Sequence, residues 1–261
     1  VKVFCRIRPE NEKEKSTGLP LCLEPTSDTS LKITVDNLSI NSGLKENYSD
    51  KSFQDFTYDQ VFPSDTTQET IFEKVAKPLI NAAFEGINGT LFCYGQTASG
   101  KTYTMEGVTS DNILMGIIPR MMNLIFDIIS QGSSDIEYSV KCQYYQIYNE
   151  KIQDLLDPRK TDLAIREDKN KGIWVEDCTE SYVESEQEMI NFFREGAANR
   201  AVASTKMNNA SSRSHSLFVV IIYQRNTITE SSKTGKLYFI DLAGSEKMSK
   251  AGIEGGTVLK E

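Results

Sequence analysis

Several things are scarce in this sequence, and each shortage narrows what the chain can be. It has five cysteines, Cys5, Cys22, Cys93, Cys142 and Cys178, with no CxxC pair among them. They sit mostly in apolar, strand-like runs, so free thiols in a reducing compartment, the cytosol, are expected. Long apolar runs are missing too: the longest, Leu217 to Tyr223, falls far short of the roughly 20 residues a helix needs to cross a bilayer. Val1 opens directly into a strand pattern with no signal-peptide signature, so nothing directs the chain to a membrane. Positive charge is in deficit, with 29 basic against 37 acidic residues and a net charge of −8. That argues against a general nucleic-acid or membrane binder and confines any basic binding face to a local patch. Repeats, low-complexity tracts and linker-like composition breaks are absent as well, which favours a single domain.

What is present alternates between strand and helix patterns. Val1, Val3, Cys5 and Ile7 alternate with Lys2, Arg6 and Arg8, a half-buried strand that delivers Arg6, Arg8 and Pro9 to its far end. A weak strand at Leu31 to Val35, a long loop or hairpin from Asn37 to Ser52 and a strand from Phe56 to Phe62 follow. Thr66-Thr67-Gln68-Glu69 reads as a capping box, starting a helix that buries Ile71, Phe72, Val75, Leu79, Ile80 and Ala83, with a kink at Pro78. Further along, the patterns predict a strand at Thr90 to Tyr94, a helix at Ile117 to Ile129, a strand at Ile136 to Tyr144 and a short helix at Asn149 to Leu156. A hairpin is expected from Leu163 to Val175, and a second capping box, Ser185 to Glu188, starts a helix to about Ala198. The last strands are Leu217 to Tyr223 and Lys236 to Ile240, the latter ending at Asp241. This order predicts an α/β fold: a central, mostly parallel or mixed sheet with helices on both faces. The chain begins without methionine in mid-strand and stops at Thr257-Val-Leu-Lys-Glu261, which reads as a helix start, so both ends are expected to be cuts.

The richest stretch runs from Gly89 to Thr102. Gly95, Gly100, Lys101 and Thr102 have P-loop spacing, a turn whose backbone N–H groups wrap phosphates, here between an apolar strand and a predicted helix start. Lys101 would reach the β- and γ-phosphates and the Thr102 hydroxyl would ligate magnesium. A P-loop alone implies only a bound nucleotide. Hydrolysis also needs an acid for the metal and segments that respond to the γ-phosphate. Asp241, at the end of Leu237 to Ile240, suits the first need by holding a magnesium-bound water. Gly244 follows it, where a glycine lets the backbone donate to a phosphate oxygen and serve as a hinge, and Glu246 adds a charge. The serine-rich loop from Asn208 to His215 is by composition only a loop.

Taken together and in this order, Arg6-x-Arg8-Pro9, Gly95-Gln96-Thr97-Ala98-Ser99-Gly100-Lys101-Thr102, Asn208-x-x-Ser211-Ser212-Arg213-Ser214-His215 and Asp241-Leu-Ala-Gly244-Ser-Glu246 closely resemble the nucleotide motifs of the kinesin motor domain. The resemblance spans nearly the whole chain and is closest to the conventional, cargo-transporting branch, including Gln60 to Pro63, Tyr145 to Ile152, Glu167 to Asn170 and Glu246 to Lys250. It implies a P-loop NTPase fold and one motor domain over residues 1–261 that lacks its C-terminal part. The cofactors implied are ATP or ADP and Mg2+. Arg6, Arg8 and Pro9 would belong to the nucleotide site, with Arg8, Pro9 and Tyr103 around the adenine. Gly95 to Thr102 would wrap the phosphates, and Thr102, Ser212 and Asp241 would serve the metal. Ser211 and Asn208 would position the attacking water or the γ-phosphate, Gly244 would sense that phosphate, and Arg213 would pair with Glu246 when both mobile segments close. A water chain through Ser211 to Glu246 would carry off the proton. His215 reads as a structural residue at the base of this loop, and Trp174 as a packing residue of the hairpin.

The implied partner is the microtubule, an acidic tubulin surface, through the Lys151 to Lys171 region with Arg159, Lys160, Arg166 and Lys169. Acids Asp154, Asp157, Glu167 and Asp168 are interleaved there, so the patch is mixed in charge. A cytoplasmic, cytoskeletal location follows from the resemblance, as does coiled-coil dimerisation of the parent protein outside this stretch, with no nucleic-acid or membrane partner. Relay and neck elements of the family would lie beyond Glu261. The alternative is a kinesin-like module that binds nucleotide and filament without productive motility. A P-loop kinase or GTPase is disfavoured, the latter because no Asn-Lys-x-Asp base-reading motif occurs.

Overall fold

The structure, a computed structural model, describes residues 1–18, 21–36, 51–169, 172–206 and 212–246, which fall into two compact units, Val1–Thr67 and Gln68 onward. In the first unit, β1 (Phe4–Arg6) is followed by α1 (Glu12–Ser16), β2 (Leu23–Pro25), β3 (Ser30–Asp36), β4 (Lys51–Thr57) and β5 (Gln60–Phe62). β2, β3 and β4 form an antiparallel sheet, and β1 pairs with β5 in parallel. The single strand expected over Phe56 to Phe62 is therefore two. Tyr58 and Asp59 leave the ladder, and their N–H groups go instead to the Thr29 and Val3 carbonyls at 2.8 Å each. The Asn37 to Ser52 expectation lies outside the described residues from 37 to 50.

The second unit opens with α2 (Gln68–Ile71), a π-helical turn (Phe72–Ala76) and α3 (Lys77–Phe84). The widened turn ends just before Pro78, which lacks an N–H inside this continuous helical run, at the position where the kink is expected. β6 (Gly89–Cys93), α4 (Lys101–Met105), α5 (Ile117–Ser130), β7 (Ile136–Tyr148), β8 (Lys151–Asp154), β9 (Ile165–Asp168), β10 (Gly172–Val175), β11 (Ser181–Val183), α6 (Glu186–Lys206), β12 (His215–Asn226) and β13 (Ser232–Asp241) complete it. Residues 151–154 form a strand, not the helix their composition suggests. They turn back on β7, pairing Ile147 with Ile152 and Tyr145 with Asp154, and this non-local ladder overrides a weak helical pattern. α6 also runs eight residues past the expected Ala198, to Lys206. Its start is as expected: the Ser185 hydroxyl accepts the Glu188 N–H at 3.2 Å, and the Glu188 carboxylate accepts the Glu184 N–H at 2.8 Å.

The sheet has the order β11-β7-β12-β13-β6, with β8 also on β7, and it is mixed: β13 and β6 are parallel and the other pairs antiparallel. Period-two alternation divides its residues between two buried faces. Tyr144, Phe218, Val220, Leu237 and Phe239 point to one, where Phe193 of α6 stacks on Tyr144 at 5.2 Å and meets Phe218 edge-on at 5.2 Å. α3 lies against β6 and β13 on this face, and α5 packs on both α3 and α6. On the other face Tyr145 and Val219 cluster with Ile152, Val175 and Cys178 from β8, β10 and the turn after it. Burial pushes the Cys178 thiol up to about 12, and the five cysteines are free thiols.

Candidate functional site

The site grows from the parallel pair of the large sheet, β13 on β6. Register places Asp241 opposite Cys93, so the ends of β13 and β6 lie side by side and the chain leaving each stays in contact. The Leu242 N–H reaches the Cys93 carbonyl at 3.3 Å and the Ser245 N–H reaches the Gly95 carbonyl at 3.2 Å. After β6 the loop from Gly95 to Gly100 turns sharply into α4. Gly100 has φ +95° where that helix starts, a left-handed conformation that costs glycine little, and a Cβ on Gly95 would lie 2.7 Å from the Ser99 hydroxyl. Ala98 is also left-handed, at φ +64°, an uncommon state for a residue with a side chain and a mark of a tightly constrained loop. The Lys101 ammonium folds back into the loop, donating to the Gly95 carbonyl at 2.7 Å and the Gln96 carbonyl at 2.8 Å.

Asp241 shares the Phe239 face of β13, so its carboxylate emerges toward α4 and α6. Its Oδ2 accepts the Thr102 hydroxyl at 2.7 Å and the Arg200 Nη1 at 3.2 Å. Arg200 also lies 3.7 Å from Glu106. Asp241 and Arg200 are buried, and Glu106 is close to buried. Desolvation raises the Glu106 carboxyl above its ordinary range; the Asp241 charge adds to this and the Arg200 charge opposes it. Removing Arg200 would leave the buried Asp241 carboxylate without its counter-charge, at a cost of about 3–5 kcal/mol. Among the described residues, Asp241 Oδ1 and Arg200 Nε are buried with no hydrogen-bond partner. The expectations from sequence contained Thr102 and Asp241 but neither Arg200 nor Glu106. Arg200 sits in an otherwise ordinary helical stretch, and the only signal for it is a base four residues after Gly196 on the same helix face.

The segment after β13 closes over the P-loop. The Gly244 N–H donates to the Ser212 carbonyl at 2.8 Å, and a Cβ there would press on the Glu246 carboxylate and the Thr97 hydroxyl, so a larger residue would disturb the contact between those two. Glu246 Oε2 accepts the Thr97 N–H at 2.8 Å, and Oε1 accepts the Thr97 hydroxyl. These bonds, the hydroxyl's foremost, hold the carboxyl below its usual range, and the Lys101 charge assists. At the base, His215 Nδ1 accepts the Ala243 N–H at 3.1 Å, which puts the ring proton of the neutral form on Nε2. Thr97, Ala98, Gly100, Lys101, Thr102, Tyr103, Glu106, Arg200, Ser212, Asp241 and Gly244 line a cavity of about 620 Å³, within the range of small-molecule sites.

Other expected residues are placed differently. Arg213 is exposed, and among the described residues no ion pair joins it to Glu246. Asn208 and Ser211 lie outside the described residues. Tyr103 is 42% exposed, and its carbonyl accepts the buried Gln68 amide at 2.7 Å, an anchor for α4 that was not expected. Arg6, Arg8 and Pro9 belong to the first unit, where the Arg8 guanidinium pairs with Glu14 at 2.6 Å and donates to the Pro9 carbonyl at 2.8 Å. The Leu163 to Val175 hairpin is formed by β9 and β10, with 170 and 171, and hence Lys171, outside the described residues. Among the bases of the hairpin and of the stretch before it, Arg159 pairs with Asp157 at 2.8 Å, Arg166 with Glu176 at 2.7 Å and Lys151 with Asp162 at 3.5 Å, and Lys160 donates to the Thr179 hydroxyl at 3.1 Å. The three ion pairs are on the surface and individually weak, and the Lys160 contact is part-buried.

Comparison with known proteins places this geometry. The family model "Kinesin motor domain" matches residues 6–261. Kinesin-related protein 3 of Dictyostelium discoideum is 45% identical over 262 residues, covering 99% of this chain and 21% of that protein. The kinesin heavy chain isoform 5C of Homo sapiens is 45% identical over 258 residues, covering 99% of this chain and 25% of its own length. The chain therefore spans about a quarter of the length of these curated relatives. A solved structure of a fast kinesin superposes with a TM-score of 0.87 at 40% identity, over 98% of this chain and 69% of that one.

Proposed function

This chain belongs to the kinesin motor domain family, and from that premise we propose that it binds and hydrolyses ATP and couples hydrolysis to movement along microtubules. The solved relative is described in terms of an ATPase mechanism and interactions with microtubules. The observation that carries the reading here is the bond from the Thr102 hydroxyl to Asp241 at 2.7 Å, which joins the P-loop to the end of β13 beside the cavity.

Residues 1–261 act as one motor domain, with Arg6 among its nucleotide-binding residues and Arg8, Pro9 and Tyr103 around the adenine. The backbone from Gly95 to Gly100 wraps the phosphates, and Lys101 leaves the loop carbonyls to donate to the β- and γ-phosphoryl oxygens. A hard divalent cation fits the remaining donors. The Thr102 hydroxyl is a neutral oxygen ligand, and the buried, unpartnered Oδ1 of Asp241 suits a metal-bound water. Bound Mg2+ would neutralise charge on the phosphates, with Ser212 as a further ligand once its loop closes. Asn208 and Ser211 orient the attacking water. Glu246 then exchanges Thr97 for Arg213, latching both segments around the γ-phosphate, and takes up the water's proton through Ser211. Binding to the acidic microtubule surface runs through the Lys151 to Lys171 region, and the site of action is the cytoplasmic cytoskeleton.

Steady-state ATPase activity with and without microtubules tests this. Stimulation by microtubules supports the motor. ATP binding without stimulation selects a nucleotide-binding module, a reading favoured by the engagement of Arg159 and Arg166 in local pairs.

A further inference from the structure

We propose that Arg200 is a positioning residue for the divalent cation of the nucleotide site, orienting Asp241 so that its Oδ1 faces the metal-bound water. The inference rests on the reading of Thr102 and Asp241 as metal-site residues. A carboxylate held through a single hydrogen bond can rotate and offer either oxygen. Asp241 is held through two, both to Oδ2 and from different elements: the Thr102 hydroxyl of α4 at 2.7 Å and the Arg200 guanidinium of α6 at 3.2 Å. That fixes the plane of the carboxylate and leaves Oδ1 as a buried acceptor with no donor among the described residues. A metal-bound water is a donor of the kind this oxygen lacks.

The guanidinium is itself confined. Its side chain is 9% exposed, and the Nη1 that meets Asp241 also lies 3.7 Å from Glu106, so one cation is shared by two carboxylates. Its backbone is fixed as well. Gly196, one helical turn earlier, sits so close to Tyr144 that a Cβ would come within 2.9 Å of Cε1, and this seats α6 against the sheet at the height where Arg200 meets Asp241. Lysine in its place would keep the charge and lose the rigid planar guanidinium that sets Nη1 between the two acids.

The test is the Mg2+ dependence of ADP retention, measured as release of fluorescently labelled ADP during a chase across a range of MgCl2 concentrations and in excess chelator. Arg200→Lys is expected to raise the half-protecting Mg2+ concentration about tenfold, within the range seen when partners of metal-site residues are removed. ADP affinity in chelator should stay within about twofold of the unmodified protein, because the P-loop contacts are untouched. A purely structural role would weaken both conditions alike or lower only the melting temperature. Glu106→Gln removes the acid that confines the guanidinium and leaves Asp241 intact. It is expected to move the Mg2+ requirement the same way by a smaller factor, and it decides the matter if Arg200→Lys does not fold. An unchanged Mg2+ requirement in the folded variants overturns the positioning role alone. If ADP retention by the unmodified protein does not respond to Mg2+, the metal-site reading falls and the inference falls with it.

Discussion

Glu246 takes the backbone N–H of Thr97 at 2.8 Å and the Thr97 hydroxyl with its other oxygen, so an acid from the segment after β13 rests on the P-loop. The proposed pairing with Arg213 requires the carboxylate to give up these two donors. Glu246→Ala is therefore expected to retain ATP binding and slow hydrolysis by a factor of about 10² or more, the scale of a lost proton-transfer path. Single-turnover hydrolysis measured beside equilibrium ATP binding checks this, and turnover at the normal rate would discard the Arg213–Glu246 latch.

Lys101 donates to two carbonyls of its own loop, so the ammonium braces the loop. Lys101→Ala should abolish measurable nucleotide binding, whereas Lys101→Arg, which keeps the charge without the compact ammonium, should restore only part of it. Titration calorimetry with ADP separates the two.

His215 is the sole histidine of the chain, and burial, followed by the Arg200 charge, lowers its pKa from the usual 6.5. The folded protein then binds fewer protons than the unfolded chain between that lowered value and 6.5. The stability it contributes is complete above about 6.5 and is lost as pH falls through the folded value, when Nδ1 can no longer accept from Ala243. Glu106, raised by burial, contributes with the opposite sign, since its stability is lost as pH rises. His215→Asn keeps an acceptor near Ala243 without titrating. Urea midpoints from pH 5 to 8 should fall toward acid in the unmodified protein and lose that fall in the variant.

Gly196→Ala would drive a methyl group into the Tyr144 ring. Overpacking of this kind costs about 1–3 kcal/mol, and here it also tilts the helix that carries Arg200. A lower melting temperature together with an increased Mg2+ requirement for ADP retention is expected. A fall in melting temperature without the second change would show that the two positions are not coupled through α6.

Lys151→Glu combined with Lys169→Glu is expected to weaken microtubule binding several-fold at low salt and less at high salt, because exposed charges are screened. Co-sedimentation at two ionic strengths, with ATP turnover in the absence of microtubules as the control, tests the hairpin as the filament contact.

Local chemistry made much of this molecule legible. The P-loop is a contiguous stretch whose glycines dictate its turn, the long strands announce themselves by alternation, and the Ser185 cap marks the start of α6. The elements misread from sequence depend on distant partners. Residues 151–154 become a strand because β7 offers them a ladder, and Tyr58 and Asp59 break a continuous pattern because their N–H groups find Thr29 and Val3. The same division holds at the site. Sequence alone determined that a glycine-rich loop with P-loop spacing, a strand-end acid and a glycine three residues after it share one chain, because each is defined by residues adjacent in the sequence. Only the tertiary structure decided that Asp241 meets Thr102 and Arg200, and that Glu246 rests on Thr97. Those contacts depend on the parallel register of β13 on β6 and on the packing of α6 against Tyr144, which join residues as far as 149 positions apart.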